Sequence, residues 1–275
     1  MITPVLTDSV GRKHDYLRIS LTERCNLRCF YCMPEAGVPH RPSSQFMSTE
    51  EVLGIAKQFV QLGVKKIRLT GGEPLIRKDA EAVIRGLAEL PVELAITTNG
   101  ILVDEFVNVF EECGLKHINV SLDSLRAERF NKITRRDYFS RVMKNINTLI
   151  NRGFNVKLNA VLIKGVNEDE IADFIAFTKT HPVEYRFIEF MPFDGNKWNF
   201  SKCLSQKEIL ELVQNKFGDS IQRMIDGPND TARHYKIAGH QGSFAIISSM
   251  TNPFCDSCNR IRLTADGKMK NCLFS

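Results

Sequence analysis

Six of the eight cysteines in this chain fall into two triplets, Cys25, Cys29 and Cys32, then Cys255, Cys258 and Cys272, while Cys113 and Cys203 stand apart. The stretch from Met1 to Ser20 has no apolar core of a secretory leader, so clustered thiols point to metal binding or redox chemistry before structural disulfides. Three thiolates in so short a run suit a cubane iron-sulfur cluster, in which three irons take a cysteine each and the fourth stays open for a ligand. A structural zinc site wants four closed ligands, and the nearest downstream histidine, His40, lies beyond Pro34 and Pro39 and is expected to face solvent. The second triplet, read alone, is a zinc ribbon short of one ligand. Its missing ligand again leaves a metal position for a small molecule. Between its cysteines stand Arg260 and Arg262, two residues apart on an expected strand, so they share a face and can both reach a phosphate.

Three further turns carry polar groups that could meet a ligand: Gly71-Gly-Glu-Pro74, Thr97-Thr-Asn-Gly100 and Ser121-Leu-Asp123. In the first, absent Cβ atoms allow close backbone approach and the Glu73 carboxylate can accept from an ammonium. The other two offer hydroxyl and amide groups, which serve equally as caps. No Walker A motif is present, since Gly267-Lys268 is followed by Met269.

Each of these groups falls at the end of an expected strand. Met47 to Leu62 reads as an amphipathic helix with a Ser48–Glu51 capping box, stopped by Gly63, and Lys66 to Thr70 is the strand that follows. The order helix, glycine, strand recurs through Gly114 into His117–Leu122 and through Gly153 into Val156–Leu162. With Tyr16–Leu21, Glu93–Thr97 and Glu184–Phe190 there are six candidate strands separated by helical crossovers, which predicts an α/β fold built on an incomplete (β/α)6 TIM-like barrel. An open doubly wound sheet is the alternative. After residue 206 the texture changes to one helix, Lys207 to Phe217, and short strands, so residues 1–206 are expected to form the partial barrel. Residues 207–275 then form a β-rich C-terminal extension that carries the second cluster and covers the barrel mouth, with a hairpin turn at Ala265-Asp-Gly267.

Composition removes other classes. In 275 residues, 43% are hydrophobic and 25% charged, which excludes disorder, and no apolar run is long enough to span a bilayer. The net charge of +5 comes without a Lys/Arg block, so neither nucleic acid nor a membrane is expected as partner, and the chain is expected in the cytoplasm. Cys113, ending a helix, reads as a small buried hydrophobe, Cys203 as a free thiol, and Trp198 has no assignable role.

The spacing Cys25-x3-Cys29-x2-Cys32, with Tyr31 before the last cysteine, resembles that of the radical S-adenosylmethionine (SAM) superfamily. Cys255-x2-Cys258-x-Arg260-x-Arg262-Leu263, the Asp266-Gly267 turn, Cys272-Leu-Phe, and the runs Asp15–Ser20, Arg68–Pro74 and Arg186–Met191 further resemble the MoaA family, the GTP 3′,8-cyclases of molybdenum cofactor biosynthesis. The resemblance implies a lyase that binds two 4Fe-4S clusters, the first held by Cys25, Cys29 and Cys32 and the second by Cys255, Cys258 and Cys272. It implies SAM contacts from Tyr31, Gly72, Glu73, Ser121 and Met191, although Met191 reads equally as core. It also implies GTP contacts from Arg18, Arg68, Thr97, Lys157, Arg186, Arg260 and Arg262, with Arg18, Arg260 and Arg262 catalytic. As partners it implies a reduced flavodoxin- or ferredoxin-type electron donor, a downstream cyclic pyranopterin monophosphate synthase, and a homodimer as a possible assembly. The family continues past residue 275 to a diglycine tail, so the chain is expected to be truncated relative to it. Two other readings are a radical SAM enzyme that modifies a peptide using an auxiliary cluster, and a non-catalytic zinc-binding module.

Overall fold

The computed structural model describes residues 5–33, 41–193, 196 and 198–272, so His40 and the Leu273-Phe274 end of the Cys-Leu-Phe motif lie outside the described residues. Along the chain run β1 (Tyr16–Ser20), α1 (Thr49–Gln61), β2 (Lys66–Thr70), α2 (Ala80–Ala88), β3 (Glu93–Thr98), α3 (Val103–Glu112) and β4 (His117–Ser121). Then come α4 (Ala127–Thr134), α5 (Phe139–Asn151), β5 (Asn155–Leu162), α6 (Ile171–Phe177), β6 (Glu184–Glu189) and α7 (Gln206–Phe217). Five short strands finish it: β7 (Ile221–Arg223), β8 (Arg233–Ile237), β9 (Ser243–Ile247), β10 (Arg260–Leu263) and β11 (Met269–Lys270). The α/β expectation holds, and the succession of β1 to β6 with intervening helices is that of an incomplete (β/α)6 barrel. The described residues fall into two compact units, one of residues 5–26, 41–119 and 258–272, the other of 27–33, 120–193, 196 and 198–257.

In the first unit β10, β1, β2 and β3 are parallel neighbours, and β11 closes an antiparallel hairpin on β10. The expected capping box is present: Ser48 Oγ accepts from the Glu51 amide while the Glu51 carboxylate accepts from the Ser48 amide. Alternation along each strand sends Leu17, Ile19, Ile67, Leu69, Leu94 and Ile96 to one face, where they are buried together with Val52, Ala56, Val83, Ile84 and Leu87 of the helices. Each such aliphatic side chain stabilises the fold by roughly 1.5–3 kcal/mol. The opposite face carries Tyr16, Arg18, Lys66, Arg68 and Thr97. Polar residues on the second face are what a ligand-binding lumen requires.

In the second unit β5, β6 and β9 are parallel, while β8 and β7 continue from β9 antiparallel. Its core stacks Phe174 on Tyr185 at 4.6 Å and Tyr235 on Phe244 at 5.2 Å. The strands of residues 207–275 are therefore shared out: β7 to β9 extend the edge at β6, and β10 and β11 extend the edge at β1. Both additions satisfy backbone groups that an open sheet edge would leave unpaired. Cys113 is half-buried at the end of α3 instead of inside the core, because Gly114 turns the chain there; Cys203 is buried and free.

Candidate active site

In the first unit the loops after β1 and β2 run side by side. Leu21 donates to Thr70 O (2.9 Å), Gly72 to Thr22 O (2.7 Å) and Glu73 to Arg24 O (2.7 Å), so the glycine turn is bonded to the loop that presents Cys25. A Cβ on Gly71, at φ +148°, would stand 2.5 Å from Thr22 O, and one on Gly72 would stand 2.1 Å from Arg24 O. The glycines thus admit the backbone of the cysteine loop itself. Asn99 completes the bracket: its Nδ2 donates to Asn26 Oδ1 at 2.6 Å and reaches Cys25 Sγ at 3.8 Å, while its Oδ1 accepts from the Ile101 amide.

Glu73 is turned inward. With 1% of its surface exposed, it accepts from Leu75 N (3.2 Å), Thr98 Oγ1 (2.8 Å) and Asn99 N (2.6 Å). Burial pushes its carboxyl up to about 7 against the pull of those three donors. Its oxygens are engaged in joining the turn after β2 to the turn after β3.

Across β10, β1 and β2 the register sets Arg262, Arg18 and Arg68 in one row, with Arg260, Tyr16 and Lys66 in the row before it. Arg68 donates through Nε to Tyr16 Oη (2.6 Å) and through a terminal nitrogen to Ile96 O (2.7 Å). Arg260 and Lys66 each lie over the Tyr16 ring, at 5.3 and 5.5 Å. Arg18 Nε is buried with no hydrogen-bond partner among the described residues, and so is Thr97 Oγ1 on the same face. Burial, then the charge of Arg262, brings the Arg18 guanidinium down to about 9; burial lowers Arg262 as well. No described carboxylate pairs with Arg18, Arg68 or Arg262. Crowded, desolvated cations with unused donors form a site preorganised for a polyanion.

The second unit holds Cys29, Cys32, Tyr31, Ser121, Lys157, Arg186, Met191 and Cys255. Cys29 O accepts from both Cys32 N and Met33 N (3.0 Å each), which winds the cysteines into a single turn. Tyr31 Oη donates to Asp123 Oδ2 (2.7 Å), and Asp123 Oδ1 accepts from Val161 N (2.8 Å). Burial raises Asp123 to about 6 despite these donors. Lys157 and Arg186 meet on one carboxylate, Glu184. Trp198 does acquire a contact, donating from its indole to Phe190 O (2.9 Å), and Asn196 caps Met191 O (2.8 Å).

The cysteines of each triplet are divided between the units, and no group of three or more His, Cys, Asp or Glu side chains is gathered as a metal site among the described residues. None is in a disulfide; Cys32, Cys255 and Cys272 are exposed and Cys25, Cys29 and Cys258 half-buried. Soft sulfur donors outside any disulfide fit iron-sulfur ligation. The sequence offers Asn99 and Asp123 only as members of ligand-facing turns, and it does not mark Tyr16, Glu184 or His234.

A family model described as Radical SAM superfamily matches residues 19–178, and one described as Molybdenum Cofactor Synthesis C matches residues 183–275. The mitochondrial GTP 3′,8-cyclase of Arabidopsis thaliana is 51% identical over 99% of this chain and 70% of its own length. The GTP 3′,8-cyclase of Listeria welshimeri is 44% identical, covering 98% and 82%. Molybdenum cofactor biosynthesis protein 1 of Drosophila melanogaster is 48% identical over 98% of the chain, which spans about half (48%) of that relative's length. Among solved structures, Streptococcus suis SuiB bound to its precursor peptide SuiA superposes with a TM-score of 0.70 at 16% identity, over 94% of this chain and 60% of SuiB, a likeness of fold. By the match of residues 19–178 and by these identities over nearly all of its own length, the chain belongs to the radical SAM superfamily and, within it, to the family of GTP 3′,8-cyclases and molybdenum cofactor biosynthesis proteins.

Proposed function

We propose that this chain carries the GTP 3′,8-cyclase activity of its family, converting GTP to (8S)-3′,8-cyclo-7,8-dihydroguanosine 5′-triphosphate, the first step toward molybdopterin. The observation that carries this is the row Arg262, Arg18 and Arg68: three guanidinium groups in strand register, none paired with a carboxylate among the described residues, one with a buried Nε unused there. A triphosphate supplies the charge and acceptors they lack.

In this proposal Cys25, Cys29 and Cys32 would hold the first 4Fe-4S cluster, serving SAM, and Cys255, Cys258 and Cys272 would hold the second, serving the guanine base. When bound, SAM and the reduced first cluster would supply the radical chemistry that removes a hydrogen atom from the substrate. The substrate then loses a hydrogen atom from C3′, gains a bond from C3′ to C8, and takes up one electron and one proton. The chain's part is to orient and to exclude. Arg18, Arg260 and Arg262 fix the phosphates at the reaction site, Arg68, Thr97, Lys157 and Arg186 complete the nucleotide contacts, and Tyr31, Gly72, Ser121 and Met191 receive SAM. Glu73 supports the SAM side from within the turn. The electron donor of flavodoxin or ferredoxin type, the downstream pyranopterin synthase and a homodimer belong to the same proposal. So does a cytoplasmic setting, where thiols stay reduced; no helix among the described residues is long and apolar enough to cross a membrane.

The test is an anaerobic reaction of iron-sulfur-reconstituted protein with GTP, SAM and a strong reductant, followed by mass spectrometry. Cyclised guanosine triphosphate accompanied by an equal amount of 5′-deoxyadenosine is expected. SAM cleavage with no GTP-derived product would favour the peptide-modifying alternative. Zinc without iron or acid-labile sulfide would favour the non-catalytic one.

A further inference from the structure

The strand that carries Arg186 begins with an acid. Parallel pairing of β5 and β6 sets Glu184 beside Lys157, and Arg186 lies two residues further along β6, on the same face. Glu184 Oε1 accepts from Lys157 Nζ at 3.0 Å and from Arg186 Nε at 2.6 Å, while Oε2 lies 2.8 Å from Nδ1 of His234. The other ring nitrogen of His234 is 3.2 Å from Asp230 Oδ2, and its backbone amide donates to Asp226 Oδ1. Burial would raise the Glu184 carboxyl, yet the His234 hydrogen bond and the charges of Arg186 and Lys157 hold it well below the usual carboxylate range. Burial and Arg186 pull the Lys157 ammonium down, and Glu184 opposes both.

A negative charge beside two cations assigned to a nucleoside triphosphate works against binding of that anion. The arginine row of the first unit contains no such group. The difference calls for a role in geometry. We propose that Glu184 is a positioning residue for the substrate site, clamping Lys157 and Arg186 side by side so that both present their remaining donors to a phosphorylated nucleoside. The clamp suppresses the mutual repulsion that would splay the two side chains, and His234 fixes the carboxylate from β8, one strand beyond β9. This rests on the GTP-directed role proposed for Lys157 and Arg186.

The experiment compares the full-length wild-type chain with Glu184→Gln and Glu184→Asp, each first checked for an unchanged unfolding midpoint. Acetic anhydride labelling of Lys157 at fixed pH, read by peptide mass spectrometry, needs neither clusters nor turnover. Loss of the carboxylate should lower the lysine pKa and speed labelling about 3-fold or more in Glu184→Gln, with Glu184→Asp between. Equal labelling in all three would overturn the clamp. On reconstituted protein, GTP binding should weaken about 10-fold in Glu184→Gln, and the yield of cyclised product per 5′-deoxyadenosine should fall, with partial rescue in Glu184→Asp. Tighter GTP binding with unchanged yield would make Glu184 a mere counter-charge and defeat the proposal. If the wild type binds and cyclises no GTP, the function fails, whereas labelling still decides whether Glu184 holds Lys157.

Discussion

Arg18 and Arg262 stand opposite one another on neighbouring parallel strands, both lowered in pKa by burial and neither paired with a carboxylate among the described residues. Like charges in that position cost folding energy, and the cost is recovered when an anion binds. Arg18→Met should therefore act in opposite directions on two measurements. Thermal or urea unfolding of the ligand-free chain should show stability unchanged or raised by about 1 kcal/mol, because a buried charge is replaced by an apolar side chain of similar length. Equilibrium dialysis should show GTP affinity weakened by about 1.5–3 kcal/mol, the worth of a charged hydrogen bond. A variant that unfolds more readily yet binds GTP normally would remove Arg18 from the site.

The glycine turn allows a sharper contrast. Gly72→Ala puts a methyl group 2.1 Å from Arg24 O, a backbone atom that cannot swing away, so the Cys25 loop must shift. We expect a loss of about 2–4 kcal/mol in unfolding free energy and reduced iron uptake by the first triplet. Gly54→Ala, in α1 with nothing within 4 Å of the added carbon, should instead stabilise by about 0.5–1 kcal/mol. Similar behaviour of the two variants would contradict the close approach at Gly72.

Glu73 gives a pH signature. Its carboxyl lies at about 7 in the folded chain against an ordinary 4.5, so the native state binds the proton more tightly than the unfolded state. Stability from this group is present below the unfolded value and is lost as pH rises through the folded one, between about 4.5 and 7. Urea midpoints of the wild type should accordingly decline over that window. Glu73→Gln should lower stability by about 1–3 kcal/mol at the acid end of the window, because one of the two acceptor oxygens becomes a donor facing Asn99 N or Leu75 N, and should flatten the decline, so that the two curves converge as pH rises. A slope that survives the substitution would place the titration elsewhere.

The two triplets should be separable. Cys25→Ala is expected to abolish SAM cleavage, and Cys258→Ala to permit slow, uncoupled cleavage without cyclised product, because the proposal has only the first cluster serve SAM. Quantified 5′-deoxyadenosine in each variant, alongside iron and sulfide content, tests this. Equal loss of cleavage in both, with the other cluster intact, would contradict the division of labour.

The elements that the sequence defines are those whose cause is local. Gly63, Gly114 and Gly153 end helices because they take positive φ, at 95°, 62° and 74°, and Ser48 with Glu51 starts one because both lie within a turn of the orphan amides. Alternation likewise puts Arg260 and Arg262 on one face of their strand without reference to any neighbour. The shared-out strands of residues 207–275 were not legible in this way. A strand's preference for an edge depends on the partner offering the unpaired groups, and β9 and β10 join β6 and β1 from far along the chain.

The sequence by itself determined the thiol triplets, the helix-glycine-strand rhythm and the identity of the cations, because residue type and short-range periodicity need no partner. Only the tertiary structure decided that Arg18 lies between Arg262 and Arg68, that Gly72 makes room for Arg24 and not just for a ligand, that Glu73 faces inward, and that Glu184 sits between Lys157 and Arg186. Those relations are set by strand order and register, which arise from burial of the whole apolar face; shifting one strand by a single residue would turn every one of its cations to the other side.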